Sequence, residues 1–369
     1  MSKERIMRFS INQNELLNAL SIVNKGLAQR ASLPILAGVY IEAREDEVIF
    51  QTTDLEMSVK YKTAALVEEK GLSVLPGKVF SDIVKNLPDA AVHIETTDDS
   101  AVISCESSSF SIRCLNADDF PGFPQVAPEQ QVSVPFETFS AMARKVCRVV
   151  SKDESRVILT GVLIAVEEGV LKLVATDSYR LAVTEQPIGS SVEDFSAVLP
   201  GSFVSDLAGL PRTGDDISFA LAENQIIVSY AGTVFINRRI EGKFPNYKQL
   251  IPNSHDTRCL VKRSDLVGAV KRASLLGSSG SQVRFSVNAA SQTIQLTTTQ
   301  EVGSTQEIVR GQIEGSDVEI GFNSYYVAEG LSAMDSGEVS LELQGSMKPG
   351  IICGAADEGY LYLVMPVRI

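Results

Sequence analysis

Asp54 and Asp177 are the residues most open to a chemical reading, because Thr53-Asp54 recurs as Thr176-Asp177 at an offset of 123. Paired carboxylates can divide general acid and general base work when a fold brings them together. Standing in two copies of one motif, each after a strand-like run, they read instead as turn caps accepting backbone N–H bonds. The two histidines, His93 and His255, fall in neither a triad-like nor a metal-ligand spacing. The five cysteines (Cys105, Cys114, Cys147, Cys259 and Cys353) are odd in number and include no C-x-x-C pair. Disulfides and structural zinc are therefore not expected, and a reducing compartment fits. No G-x-x-x-x-G-K-[ST] phosphate cradle occurs, and Gly277-Ser278-Ser279-Gly280 reads as a flexible loop. Neither catalysis nor a metal or cofactor is expected.

What remains is charge. The 369 residues hold 33 Lys plus Arg against 46 Asp plus Glu, a net −13, and 44% of them are hydrophobic. That describes a globular chain of two or three domains without a general cationic coat. Six helix-like segments (14–30, 76–88, 135–150, 200–213, 263–277 and 322–335) nevertheless carry a net +4. In the third, Phe139, Met142, Ala143 and Val146 form an apolar stripe while Arg144, Lys145 and Arg148 project elsewhere. Lys271 and Arg272 repeat the arrangement. A solvated helix face accounts for such charges; so does a local positive surface that meets phosphates under an acidic exterior. Trp is absent and few aromatics interleave the cations, so base reading is not expected. No apolar run reaches the roughly 18 residues of a membrane span, and Met1–Ile11 has no signal-peptide core. A soluble, cytoplasmic protein is expected.

The elements carrying these residues recur. Val74-Leu75-Pro76-Gly77-Lys78-Val79-Phe80-Ser81-Asp82 returns as Val198-Leu199-Pro200-Gly201-Ser202-Phe203-Val204-Ser205-Asp206, and Phe120-Pro121 as Phe244-Pro245, both 124 residues later. A fainter third copy opens at Phe322-Asn323-Ser324. Such a period is too long for a solenoid, so three similar domains are expected. The boundaries are 7–127, 128–253 and 254–369, with 1–6 a short extension. Each unit reads as α+β. A first amphipathic helix spans Asn14–Ala28, Pro135–Val150 or Ser264–Leu276, a second follows Pro76, Pro200 or Asn323, and both lie against antiparallel strands.

Several motifs then converge. Ser32-Leu33-Pro34-Ile35-Leu36, Thr53-Asp54-Leu55-Glu56-Met57, Ala175-Thr176-Asp177-Ser178-Tyr179-Arg180-Leu181, Phe244-Pro245-Asn246-Tyr247, Gly321-Phe322-Asn323 and the terminal Val364-Met365-Pro366-Val367-Arg368-Ile369 stand in this order. The ordered set is similar to that of the bacterial sliding clamps, the beta subunits of DNA polymerase III, over nearly the whole chain from Met7 to Ile369.

The resemblance implies three DNA-clamp domains per chain, forming half of a six-domain ring, helices inside and sheets outside, closed as a head-to-tail homodimer around double-stranded DNA. Packing geometry agrees. Helices about 10 Å apart enclose a lumen of about 9 Å when six line it and about 28 Å when twelve do. A duplex roughly 20 Å across needs the second chain. The implied partners are the DNA polymerase III catalytic subunit, the clamp loader and other clamp-binding proteins, held through a peptide pocket. Carried over by motif, that pocket comprises Leu159, Thr176, Tyr179, Arg180, Leu181, Pro245, Leu250, Asn323, Tyr326, Leu363, Met365, Pro366, Val367 and Arg368. Tyr179 stands where relatives often have His, and Val367 where they often have Met. Arg30 and Lys78 match positions near the DNA path; Lys145, Arg148, Arg156 and Arg272 are added from charge and helix placement. Gly201-Ser202 replaces a basic pair of some relatives. Phe110, Leu275 and Leu276 match ring-contact positions, with core packing as the alternative. A peptide-binding scaffold that encircles no DNA is the competing function.

Overall fold

The computed structural model describes residues 6–28, 33–128, 130–188, 194–277, 281–355 and 359–369. Arg30, Ser32, residues 1–5 of the expected extension and residues 278–280 of the glycine-serine loop lie outside them. Six α-helices are present among the described residues: α1 (Gln13–Val23), α2 (Gly77–Lys85), α3 (Phe136–Val146), α4 (Gly201–Ala208), α5 (Arg263–Ala273) and α6 (Ser324–Ser332). They occur in the expected pairs, one pair per repeat.

Local chemistry explains their ends. The backbone turns into α2 and α4 at Pro76 and Pro200, whose missing N–H costs a helix start nothing. The following glycines are required by close approach. A Cβ on Gly77 would lie 2.6 Å from Leu27 Cδ1, and one on Gly201 would lie 2.8 Å from Val150 Cγ1. The third repeat replaces Pro-Gly with Asn323-Ser324, and Asn323 Oδ1 accepts from the backbone N–H of Tyr325 (3.0 Å) and Tyr326 (3.3 Å) as an N-cap. Helix α1 stops at Val23, earlier than its apolar period suggests. The Thr52 hydroxyl, from the sheet beneath, donates to the Val23 carbonyl. Gly26 then closes a 3-10 turn, where a Cβ would meet Thr52 Oγ1 at 2.6 Å.

The chain divides into two compact units, Met1–Phe136 with Leu210–Arg239, and Glu137–Gly209 with Ile240–Ile369. The middle repeat is therefore shared between them. In the first unit Leu66–Glu69, Met7–Asn12, Ala91–Thr96, Ser100–Cys105 and Ser108–Arg113 form a five-stranded sheet in that order. An eight-stranded sheet runs Gln130–Pro135, Asp216–Leu221, Gln225–Tyr230, Thr233–Arg238, Met57–Ala64, Glu47–Thr53, Gly38–Arg44, Gly71–Pro76. Helices α1 and α2 pack on one another and on these strands, burying Leu16, Leu20, Val23, Phe80 and Val84.

The second unit holds one twelve-stranded sheet. Its order is Phe195–Pro200, Gly161–Glu167, Val170–Thr176, Arg180–Pro187, Tyr360–Val364, Gly350–Gly354, Glu338–Leu343, Thr257–Lys262, Gly303–Gly315, Thr293–Gln300, Gln282–Asn288, Val318–Asn323. All its strand pairs are antiparallel. Phe139, Met142, Ala143 and Val146 of α3 are buried, as their spacing predicts.

One seam is built twice. In the first unit the strand Met57–Ala64 of the first repeat takes Thr233–Arg238 of the second as its neighbour, Val59 opposite Phe235. In the second unit Arg180–Pro187 takes Tyr360–Val364 of the third repeat, Ala182 opposite Tyr362. The corresponding stretch of the third repeat, residues 303–310, pairs with Thr293–Gln300 on one side. Among the described residues no strand covers its other side, and none covers the outer side of Ser108–Arg113. Both open edges carry exposed apolar side chains: Phe110 (41% exposed) on one, Ile308 (59%) on the other.

Candidate functional site

The pocket is organised by the five-residue turn from Thr176 to Arg180. Asp177 Oδ1 accepts from the N–H of Tyr179 (2.9 Å) and of Arg180 (3.0 Å). The Thr176 hydroxyl donates to the Arg180 carbonyl at 2.7 Å and accepts from Ser178 N–H at 3.1 Å. Ser178 adopts a left-handed φ of 77°. The same lattice occurs in the first unit. There Asp54 Oδ1 accepts from Glu56 N–H (3.0 Å) and Met57 N–H (2.7 Å), with Leu55 at φ 77°. Both aspartates are turn caps, as their sequence setting predicts.

The turn sends two side chains in opposite directions. Tyr179 is 58% exposed, whereas Arg180 is 6% exposed. Arg180 Nε lies 3.0 Å from Asp177 Oδ2, Nη1 lies 3.6 Å from Glu329 Oε2, and Nη2 donates to the Arg148 carbonyl at 2.9 Å. Its guanidinium also sits 4.6 Å from the centre of the Tyr326 ring. Burial opposes the charge, but Tyr362 and Asp177 outweigh it, so the Arg180 pKa is raised. Burial also pushes up the Tyr362 phenol, whose O–H donates to the Tyr326 carbonyl at 2.8 Å.

Next to the turn, Val174, Leu181, Val183, Val198, Phe244, Tyr247 and Leu363 form a buried apolar cluster, with partly buried Ile158, Leu163, Ile240, Ile251 and Leu361 packed against it. Leu159 is buried, while Pro245 and Leu250 stand exposed beside the 3-10 turn Tyr247–Leu250. The strand Tyr360–Val364 ends just before the terminal run. That run is hung from two backbone bonds: Met365 N–H to the Tyr179 carbonyl and Val367 N–H to the Gly321 carbonyl, both 2.8 Å. Met365 and Val367 are each 36% exposed, Pro366 is half-buried and Arg368 is exposed. The terminal segment is therefore an exposed wall rather than a continuing strand.

A cavity of about 580 Å³ opens beside Tyr179, whose carbonyl holds Met365. Of the fourteen residues carried over for the pocket, Tyr179, Arg180, Asn323 and Tyr326 line it and the other ten do not. Also lining it are Arg148 and Arg156, which the sequence reading assigned to DNA, Asp177, which it read as a turn cap, and Cys147, Val150, Ser151, Lys152, Asp153, Tyr325 and Glu329, which it did not single out as site residues. The Cys147 thiol is pushed up to about 12 by burial, which keeps it protonated. The missed residues come from the segment after α3 and from α6, a region that Arg148, Arg156, Asn323 and Tyr326 had marked.

The nominated cations are placed differently from one another. Lys78 is exposed on the first turn of α2. Lys145 lies 3.1 Å from Asp335 and 5.3 Å from the centre of the Tyr360 ring. Arg272 Nη2 is 2.6 Å from Glu307 Oε2. Arg156 bonds Asp153 Oδ2 at 3.0 Å and Ser178 Oγ at 2.9 Å at the cavity rim. Lys145, Arg156 and Arg272 thus each have a partner within the fold. The acids that pair with Lys145 and Arg272 arrive from elements distant in the chain, which helix periodicity does not register. Leu275 (77% exposed) and half-buried Leu276 follow α5, and neither is packed into the core as the alternative reading required.

The three-repeat α+β chain, with a cavity where its second and third repeats join, has a clamp-type fold. Three family models match end to end, described as the N-terminal, central and C-terminal domains of the DNA polymerase III beta subunit, over residues 7–124, 133–246 and 248–368. A beta sliding clamp of Staphylococcus epidermidis is 31% identical over 375 residues, covering 98% of this chain and 100% of that protein. The sliding clamp of Bacillus subtilis superposes with a TM-score of 0.91 at 29% identity, covering 98% of this chain and 99% of that one. The beta subunit of Thermotoga maritima gives 0.91 at 29%, covering 98% and 100%. The chain belongs to the family of DNA polymerase III beta subunits, the bacterial sliding clamps.

Proposed function

We propose that two copies of this chain close head to tail into a ring around duplex DNA. The ring then holds the polymerase catalytic subunit, the clamp loader and other partners by short peptides in the Tyr179–Met365 pocket. The carrying observation is the seam made twice and left open at both ends. The free edge along residues 303–310 is what Met57–Ala64 and Arg180–Pro187 would be without their neighbours, and Ser108–Arg113 is the neighbour without its partner. Exposed strand edges bearing Phe110 and Ile308 are an aggregation hazard unless paired. Pairing unlike edges of two copies closes a ring when the rotation allows.

Three domains with boundaries at 7–127, 128–253 and 254–369 serve this role. Phe110, Leu275 and Leu276 meet at the closing joint. Lys78, exposed on the first turn of α2, faces the duplex. A topological link needs only weak, sequence-independent phosphate attraction, which lets the ring slide. The protein acts in the cytoplasm and catalyses no reaction; Asp54 and Asp177 are structural, which supports that view.

Retention on DNA tests the proposal. After loading, the protein stays on a closed circle and is lost when the circle is cut once. Equal retention on both forms would return the function to a peptide-binding scaffold.

A further inference from the structure

We infer that the cavity beside the pocket is a subsite for acidic side chains of the partner peptide, read by Arg148 and Lys152. The inference rests on the peptide-pocket reading above. The cavity measures about 580 Å³, within the range that takes a sizeable ligand group. Its carboxylates are already committed. Asp177 serves two backbone N–H groups and Arg180, Glu329 faces Arg180, and Asp153 holds Arg156 and the Ser155 hydroxyl. Those pairs consume Arg180 and Arg156 as well. Arg148 and Lys152 are left, both exposed and in no ion pair among the described residues. The uncommitted charge of the cavity is therefore positive on a chain of net −13, and an anion is attracted locally.

Position favours a peptide over a nucleic-acid backbone as the source of that anion. The rings of Tyr179 and Tyr326, 6.3 Å apart and stacked, line the cavity, and Tyr179 also carries the carbonyl that holds Met365. A segment whose apolar residue packs against exposed Met365 and Val367 delivers its adjoining residues past these rings to Arg148 and Lys152.

Fluorescence anisotropy on the full chain tests this with labelled decapeptides sharing one Leu-Phe pair. Two glutamates lie before or after the pair, and each peptide has a glutamine counterpart. One glutamate peptide is expected to bind about five- to tenfold tighter than its counterpart at low salt, the scale of two partly exposed ion pairs. The gap is expected to close near 0.5 M salt. It is also expected to vanish in the double variant Arg148→Gln with Lys152→Gln, with the glutamine peptides bound as before. Equal binding of glutamate and glutamine peptides to the parent overturns the subsite and leaves the pocket standing. A double variant that keeps the preference, or that keeps it while losing affinity for a 20-base-pair duplex, also overturns it. If no peptide binds, the pocket reading falls and the subsite with it.

Discussion

Asp177 and Arg180 bond to each other across the turn that Asp177 itself caps: one carboxylate oxygen takes two backbone N–H groups and the other lies 3.0 Å from the buried guanidinium. The equivalent pair in the first repeat is Asp54 and Met57, the same cap with no charge to compensate. A shared backbone lattice thus serves an exposed turn in one repeat and a charged hub beneath the pocket in the other.

This difference predicts unequal costs. Asp54→Ala removes a cap and is expected to destabilise by about 1 kcal/mol. Asp177→Ala also strips a buried arginine of its nearest acid, and the expected cost is about 3 kcal/mol. Denaturant midpoints of the two variants check the ordering, and equal shifts would deny the hub its role.

The open edges predict the assembly. Phe110→Asp or Ile308→Asp places a charge on a strand edge meant for burial and is expected to weaken self-association at least about 100-fold, as fully desolvated anchors do. Sedimentation distinguishes the 39.8 kDa chain from its pair. An unchanged pair in both variants would place the joint elsewhere.

The terminal wall predicts a separable defect. Deleting Met365–Ile369 removes the side chains hung from Tyr179 and Gly321. Peptide affinity is expected to fall at least about tenfold, because apolar burial and the Met365 contact are lost, with the pair intact. Calorimetric titration measures the first and sedimentation the second.

Acid predicts a local loosening. Glu167 accepts from Lys172 Nζ (2.8 Å) and Lys248 Nζ (3.1 Å), tying the Tyr247–Leu250 turn to the Gly161–Glu167 strand. These hydrogen bonds hold its pKa below the ordinary 4.5. A depressed carboxylate stabilises the fold above its unfolded pKa and loses that contribution as pH falls through the folded one. Glu167→Gln should therefore cost about 0.5 kcal/mol at pH 7, given the pair's exposure. The difference from the parent should shrink as pH falls below about 4.5, and unfolding followed across an acid titration reads it out.

Local order was legible in the residues themselves. Apolar spacing located all six helices, Pro-Gly and Asn323 marked the second of each pair, and Thr-Asp marked the capped turns, because each depends on neighbours within a few positions. The pocket region was legible only through the family's motifs, since Leu181 and Leu363 meet by strand pairing, Phe244 joins them from a loop, and none of this follows from spacing. Tertiary structure alone decided where charge is spent: Arg272 looks like a free cation on α5 until Glu307 arrives 35 residues later on the neighbouring strand. It also decided that residues 147–156 and 323–329 enclose one cavity, and that one seam in three stays open. Ion pairs, concavities and strand edges follow distance in space, which no period along the chain encodes.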